Sequence, residues 1–214
     1  MTKKIHPLAW LFWLGLFLFF LIPPTDPDLG WHLRCGQQIW QSLPAGWQGQ
    51  GWCEYNRFSV ILENYFWPNL YWFYQVTIFA VFRVAGLWGL TVANAFLTST
   101  AFILFYLAIR NYAWEKMLAF GLAIFLSWGV FSFGVRSQIT GFLFFNLLLW
   151  LFSKIRSKEK MAFFLPPIML LWANTHGSFV IGLVLLAFGG LYWGVNQSSK
   201  ILPTAIILMF SLAA

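Results

Sequence analysis

The sequence predicts an all-α fold: a polytopic membrane helical bundle of about seven transmembrane helices, with interfacial amphipathic helices in its first outer loop. Three observations predict it. The chain is 60% hydrophobic and 9% charged, more apolar surface than a water-soluble core absorbs. Seven apolar runs, at 8–22, 86–109, 117–133, 139–153, 161–175, 177–195 and 201–214, come near or reach the roughly 17 to 20 residues that cross a bilayer. The cations sort by side, as membrane topology requires. The whole chain, 1–214, reads as a single transmembrane domain carrying one long outer loop, 23–85.

Lys3 and Lys4 precede the first run, Leu8 to Ile22, in the manner of a signal peptide. The following Pro23-Pro24-Thr25-Asp26-Pro27 lacks a small-x-small cleavage site, so the run is expected to stay as an anchor with the N-terminus inside. Asp26 is expected to cap a helix with Pro27 at its first position. Leu29, Leu33, Ile39, Trp40 and Leu43 then recur near helical spacing, which predicts an amphipathic helix over 29–43 with Asp28 in its first turn. Pro44 to Gly51 reads as a loop.

The stretch 68–84 decides the topology. Pro68, Asn69, Tyr71, Trp72, Tyr74 and Gln75 give it a polar and aromatic edge closed by Arg83, which suits the interface rather than a span. All seven lysines, with Arg110 and Arg156, then fall inside, nine cations against four outside (Arg34, Arg57, Arg83 and Arg136). Four of the six acids, Asp26, Asp28, Glu54 and Glu63, fall outside. The outer face thus collects the long loop and two short turns, 134–138 and 173–177. The expected location is a bacterial cytoplasmic membrane, crossed several times.

A net charge of +7 would suit nucleic acid, but the cations are scattered between apolar runs and form no basic face, so no nucleic-acid partner is expected. Cys35 and Cys53, the two cysteines of the chain, both fall in the outer loop, as a disulfide or as two separate thiols. With His32 they lack a zinc-ligand spacing. No cofactor is called for, and a divalent metal stays open.

Asp28 is the candidate catalytic base. Once Asp26 serves as the cap, a second carboxylate in that turn gains little structurally, and it lies where an enzyme meets a lipid-anchored substrate. Asp26, His32, Arg136, Gln138, Asn174 and His176 are the candidate substrate-binding residues. His32 follows Asp28 at i+4, on the same face of a helix; its plain roles are a hydrogen bond to that carboxylate or a place at the headgroup level. Arg136 and Gln138 in one outer turn suit phosphate or sugar recognition, although an Arg there also snorkels to headgroups. His176, flanked by Asn174, Thr175 and Gly177, sits where a polar cluster is costly unless it lines a cavity.

Asp26-Pro27-Asp28-Leu29-Gly30-Trp31-His32-Leu33, Arg136-Ser137-Gln138 and Trp172-Ala173-Asn174-Thr175-His176-Gly177-Ser178-Phe179 resemble segments of the GT-C membrane glycosyltransferases. The nearest branch is aminoarabinose-transferase-like and protein O-mannosyltransferase-like, which uses polyprenyl-phosphate sugars. The resemblance implies inverting transfer from a lipid-linked sugar donor to an acceptor on the outer face, with Asp28 activating or orienting the acceptor. It also implies interfacial helices at 29–43 and 68–84, and phosphate binding at Thr175-His176-Gly177, where that branch has Thr-Lys-Gly. Two features depart from the family. Arg136 and Gln138 stand where many relatives carry a second acid, against paired-carboxylate metal binding, and relatives have about twice this length, which implies a missing C-terminal half. The absence of a GxxxxGK[ST] loop accords with a lipid-linked donor. The competing readings are a transporter or channel subunit, set against by charges lying at span ends rather than mid-membrane, and a non-catalytic assembly protein.

This topology is checked by cysteine labelling with a membrane-impermeant maleimide. Gln48→Cys is expected to react from outside and Ser157→Cys is not; external labelling at position 157 overturns the arrangement.

Overall fold

A computed structural model of the chain describes residues 7–42, 53–55, 60–109, 112–155 and 159–196. Helix α1 spans Pro7–Phe19, α2 Leu29–Ser42, α3 Trp72–Ala108, α4 Ala113–Phe131 and α5 Ser137–Ile155. A 3₁₀ turn, Glu159–Phe164, leads into α6, Leu165–Ala173, and α7 covers Phe179–Asn196. Among the described residues the sole extended pairing is an isolated bridge between Tyr55 and Phe66. The fold is therefore helical, and α3, α4 and α5 are long and apolar enough to cross a membrane. At 13 and 9 residues, α1 and α6 are shorter than a full crossing. The expected run 201–214, the expected loop 44–51 and positions 48 and 157 lie outside the described residues.

Helix α3 is two helices in succession. Gly86 interrupts it at φ 61° and ψ −154°, a region that only glycine occupies comfortably. The break falls between the stretch expected at the interface, 68–84, and the run 86–109 expected to span. Each half buries a different set of residues: Tyr74, Gln75 and Ile78 before the break, Leu90, Ala95 and Phe102 after it.

The second half of α3 anchors the bundle. Phe102 stacks on Phe20 at 5.2 Å between ring centroids and meets Phe131 and Phe142 at 5.2 and 5.0 Å, joining the segment after α1 to α3, α4 and α5. A second cluster, Leu148, Leu151, Leu165, Met169, Trp172 and Leu186, ties α5 to α6 and α7. Large apolar side chains such as Phe125, Leu126 and Phe188 face outward, as they would toward lipid tails.

Helix α2 lies against the first half of α3. Its buried face is Leu29, His32, Cys35, Gly36 and Ile39, whereas Trp40 is exposed and Leu33 only half-buried. The expected apolar stripe is thus corrected: the face turns toward α3, which puts a histidine at its centre and leaves Trp40 to stack under Arg83. The helix also starts at Leu29, two residues later than capping by Asp26 with Pro27 in the first turn predicts. The Asp28 carbonyl accepts the His32 N–H at 3.0 Å, the first bond of the helix. Gly36 allows the contact, because a Cβ there would overlap the Gln75 carbonyl and the Phe79 Cβ. Cys35 and Cys53 form a disulfide with a Cα–Cα separation of 5.5 Å, which settles the open alternative and pins the 53–55 segment to α2.

Gly36→Ala should destabilise the chain by about 1–3 kcal/mol through overpacking. Gly30→Ala, on the same helix but facing open space, should be neutral or slightly stabilising. Thermal unfolding in detergent micelles checks both; equal melting temperatures for the two variants would show that α2 and α3 do not meet at Gly36.

Candidate functional site

The chain reaches the site along the turn between α4 and α5. After α1 it leaves the helix, and the Thr25 N–H and hydroxyl donate to the Phe133 carbonyl at 2.9 and 3.3 Å. Gly134, at φ 72°, accepts this close approach; a Cβ there would stand 2.9 and 2.6 Å from the carbonyl oxygens of Ile22 and Pro23.

That docking brings Asp26 to Arg136, across 110 positions of sequence, with Oδ2 3.2 Å from Nε. Nε lies within ion-pair distance but off the geometry of a hydrogen bond. Asp26 is buried, and the guanidinium also lies 4.8 Å over the Phe133 ring. Asp26 Oδ1 accepts the Asp28 N–H at 3.3 Å. Its role is therefore larger than a cap, and Arg136 is already neutralised by protein.

Asp28 itself is exposed and, with His32, lines a cavity of about 500 Å³. Ser137 and Gln138 add polar groups at the start of α5, and the rings of Trp31, Tyr55, Tyr65, Trp67 and Tyr71 form much of the wall. The far wall hangs on the disulfide and on a Trp67 N–H to Glu54 carbonyl bond of 2.6 Å. Among the described residues, Asp28 is the one acid or Lys/Arg side chain in the lining. Sugar C–H faces carry partial positive charge and stack on the negative faces of aromatic rings, so this wall suits a sugar ring.

His32 is buried between Tyr71, at 5.6 Å, and Tyr74, at 5.2 Å. Burial pushes its pKa down to about 4, against the nearby Asp28 carboxylate, which raises it; His176 lowers it further. The ring is neutral at physiological pH. Its Nδ1 lies 3.3 Å from Gln75 Nε2, and Gln75 Oε1 accepts from Asn69 Nδ2 at 2.7 Å. Sequence reading missed Gln75 and Asn69 as site residues, seeing in them only the polar edge of an interfacial helix. The cavity's aromatic residues carried no local signal either, because the chain is 21% aromatic throughout.

His176 opens onto a neighbouring, mainly apolar cavity of about 360 Å³, and Gln138 lines both cavities. The His176 ring is 5.5 Å from that of Tyr71, so the two cavities share a partition. His176 Nδ1 accepts the Ser178 N–H at 3.0 Å and lies 2.7 Å from the Ser178 hydroxyl, which also accepts from Trp172 Nε1–H at 3.0 Å. Burial lowers the His176 pKa as well, so it acts as a neutral group rather than an imidazolium. Asn174, expected to bind substrate, is engaged by protein groups in the structure. Its Oδ1 accepts the Trp72 indole N–H at 2.7 Å, its Nδ2 donates to the Leu170 carbonyl at 2.7 Å and its carbonyl accepts the Phe73 N–H at 3.1 Å. Asn174 fastens the α6–α7 turn to the start of α3.

The structure thus brings Asp28, His32 and Gln138 to one cavity, puts His176 in the next and commits Arg136 to Asp26. Among the described residues no three His, Cys, Asp or Glu side chains gather as a metal site. No known protein family, curated protein or solved structure matches the chain.

The Asp26–Arg136 pair gives Asp26 more to hold than the helix cap expected of it, so its removal should be costly. Arg136 is 22% exposed, so stranding it should cost about 3 kcal/mol, at the low end for a buried pair. Asp26→Asn and Arg136→Gln should each lower the melting temperature, and together by less than the sum. Additive losses would show the pair is uncoupled.

Proposed function

We propose that the chain is a membrane glycosyltransferase of GT-C type, moving a sugar from a polyprenyl-phosphate donor to an acceptor on the outer face of a bacterial cytoplasmic membrane. In this reading all seven apolar runs cross the bilayer, the shorter helices at a thinner or locally shielded depth, and the N-terminus lies inside. The observation that carries it is the cavity in the first outer loop, where Asp28 and His32 stand at i and i+4 beside an aromatic wall. The Cys35–Cys53 bridge supports an oxidising outer compartment for that loop.

The acceptor hydroxyl approaches Asp28, whose carboxylate takes its proton as the new carbon–oxygen bond forms at the anomeric carbon. The bond from that carbon to the phosphate oxygen breaks in line, and the electron pair leaves on the polyprenyl phosphate. Gln138, at the boundary of the two cavities, and His176 beyond it supply neutral donors toward the departing phosphate, while the apolar neighbouring cavity suits its lipid chain. Arg136 acts on this chemistry only through its hold on the Asp26 turn.

Asp28→Asn should lower transfer by at least about 10²-fold while leaving membrane protein levels unchanged. The assay uses right-side-out vesicles and a polyprenyl-phosphate-linked sugar; transfer at the unaltered rate removes Asp28 as the base. A solute flux across the same vesicles, sensitive to Asp28→Asn and with no transfer in the unaltered chain, would favour the transporter reading.

A further inference from the structure

Three polar side chains, His32, Gln75 and Asn69, form a file behind the cavity wall, each buried: 5%, 0% and 8% exposed. Two are amides, whose oxygen and nitrogen ends are set by their partners. One end of the file removes the ambiguity. The Tyr71 backbone N–H can only donate, and it lies 3.3 Å from Asn69 Oδ1, so that atom is the oxygen. Asn69 Nδ2 then donates to Gln75 at 2.7 Å, which fixes the Gln75 oxygen there and turns its NH₂ toward His32. Gln75 Nε2 donates across 3.3 Å to His32 Nδ1, and a neutral imidazole that accepts at Nδ1 carries its proton on Nε2.

We infer that Gln75 and Asn69 are positioning residues for the cavity: they transmit the direction of one backbone N–H to His32, holding it as a neutral Nε2–H donor for a ligand oxygen. Nε2 meets no protein acceptor among the described residues. Among the described residues, the charged and titratable groups facing the ring are Asp28 from the entry of α2, Tyr71 and Tyr74 from α3 and its approach, and His176 from the α6–α7 turn. The Asp26–Arg136 pair stands behind Tyr74 as a nearly neutral unit. Only Asp28 favours protonation of the ring, and burial outweighs it. The donor therefore persists across the physiological range. Beside it, Asp28 is a pure acceptor, so the site offers one donor and one acceptor to a hydroxyl that must give up its proton on one side. The inference uses the proposed transferase only to say which ligand oxygen is met; the proton's position is measured without substrate, so it survives or fails by itself.

The test is nitrogen NMR of the full chain in micelles with ¹⁵N-labelled histidine rings, where a protonated and an unprotonated ring nitrogen are well separated. The chain has three histidines, and the His32 signals are those lost in His32→Gln. His32 is expected to show protonated Nε2 and unprotonated Nδ1 from pH 8 to about pH 5. In Asn69→Asp, studied at pH 8, the carboxylate can only accept, so the Gln75 amide must turn over, present its oxygen to His32 and draw the proton to Nδ1. The two shifts then interchange although the altered residue never touches the ring. Gln75→Glu places a carboxylate directly at Nδ1 and gives the same interchange if Asn69→Asp does not fold. His176 is the internal control, since its Nδ1 accepts from the Ser178 backbone and stays unchanged. A His32 that carries its proton on Nδ1 in the unaltered chain, or is cationic at pH 6, overturns the inference. So does an unaltered shift pattern in both variants, which would leave the amides as packing alone.

Discussion

The site depends on the close seating of α2 on the first half of α3. Gly36 lets the two backbones approach over Gln75 and Phe79, and that approach places His32 within reach of the Gln75 amide. The same seating positions Cys35 to hold the 53–55 segment, and through it the aromatic wall, over the cavity. A larger residue at position 36 would separate the helices and lengthen the His32–Gln75 contact. Gly86 then turns the chain from this outer layer into the packed half of α3, so one residue divides the element that shapes the site from the element that anchors the bundle.

The sequence made local elements legible and left long-range pairings hidden. Helix 29–42 showed in the spacing of its apolar residues, and the pairing of Asp28 with His32 on one face followed from helical geometry. The boundary near Gly86 showed because Arg83 closes the polar-edged stretch 68–84 just before the apolar run 86–109 begins. Which face of α2 is buried did not show: the period identifies a face, but its partner, here a second amphipathic helix with a glutamine at the contact, comes from elsewhere in the chain. Arg136 read as a free cation because its partner is 110 residues away. Asn174 read as a site residue because it lies in a polar turn between apolar runs, and its bond from the Trp72 indole, 102 positions away, left no local signal.

The electrostatic character of the cavity follows from what is already spent. Arg136 is held by Asp26, and His32 and His176 are kept neutral by burial. What remains at the cavity surface among the described residues is the exposed carboxylate of Asp28, with neutral donors around it. A cation beside Asp28 would stabilise its ionised form and weaken it as a base. Neutral donors provide direction without that cost, which is why fixing the His32 proton matters more than charging the ring.

Holding a neutral donor still requires that its tautomer be chosen, since the two ring nitrogens are nearly equivalent in free imidazole. A direct backbone contact does this for His176 through the Ser178 N–H. His32 lies in the first turn of α2 and turns its Nδ1 toward the Gln75 side chain of α3 rather than toward a backbone group, so the direction arrives through side chains. Two amides in series suffice, because each passes on orientation without carrying charge, and neither adds a formal charge to a low-dielectric wall. The Tyr71 N–H is free to begin this file because Tyr71 immediately precedes α3, where the first N–H groups of a helix have no intrahelical acceptor. The orphan donor at a helix start, ordinarily capped and silent, here sets the hydrogen-bonding direction of the cavity.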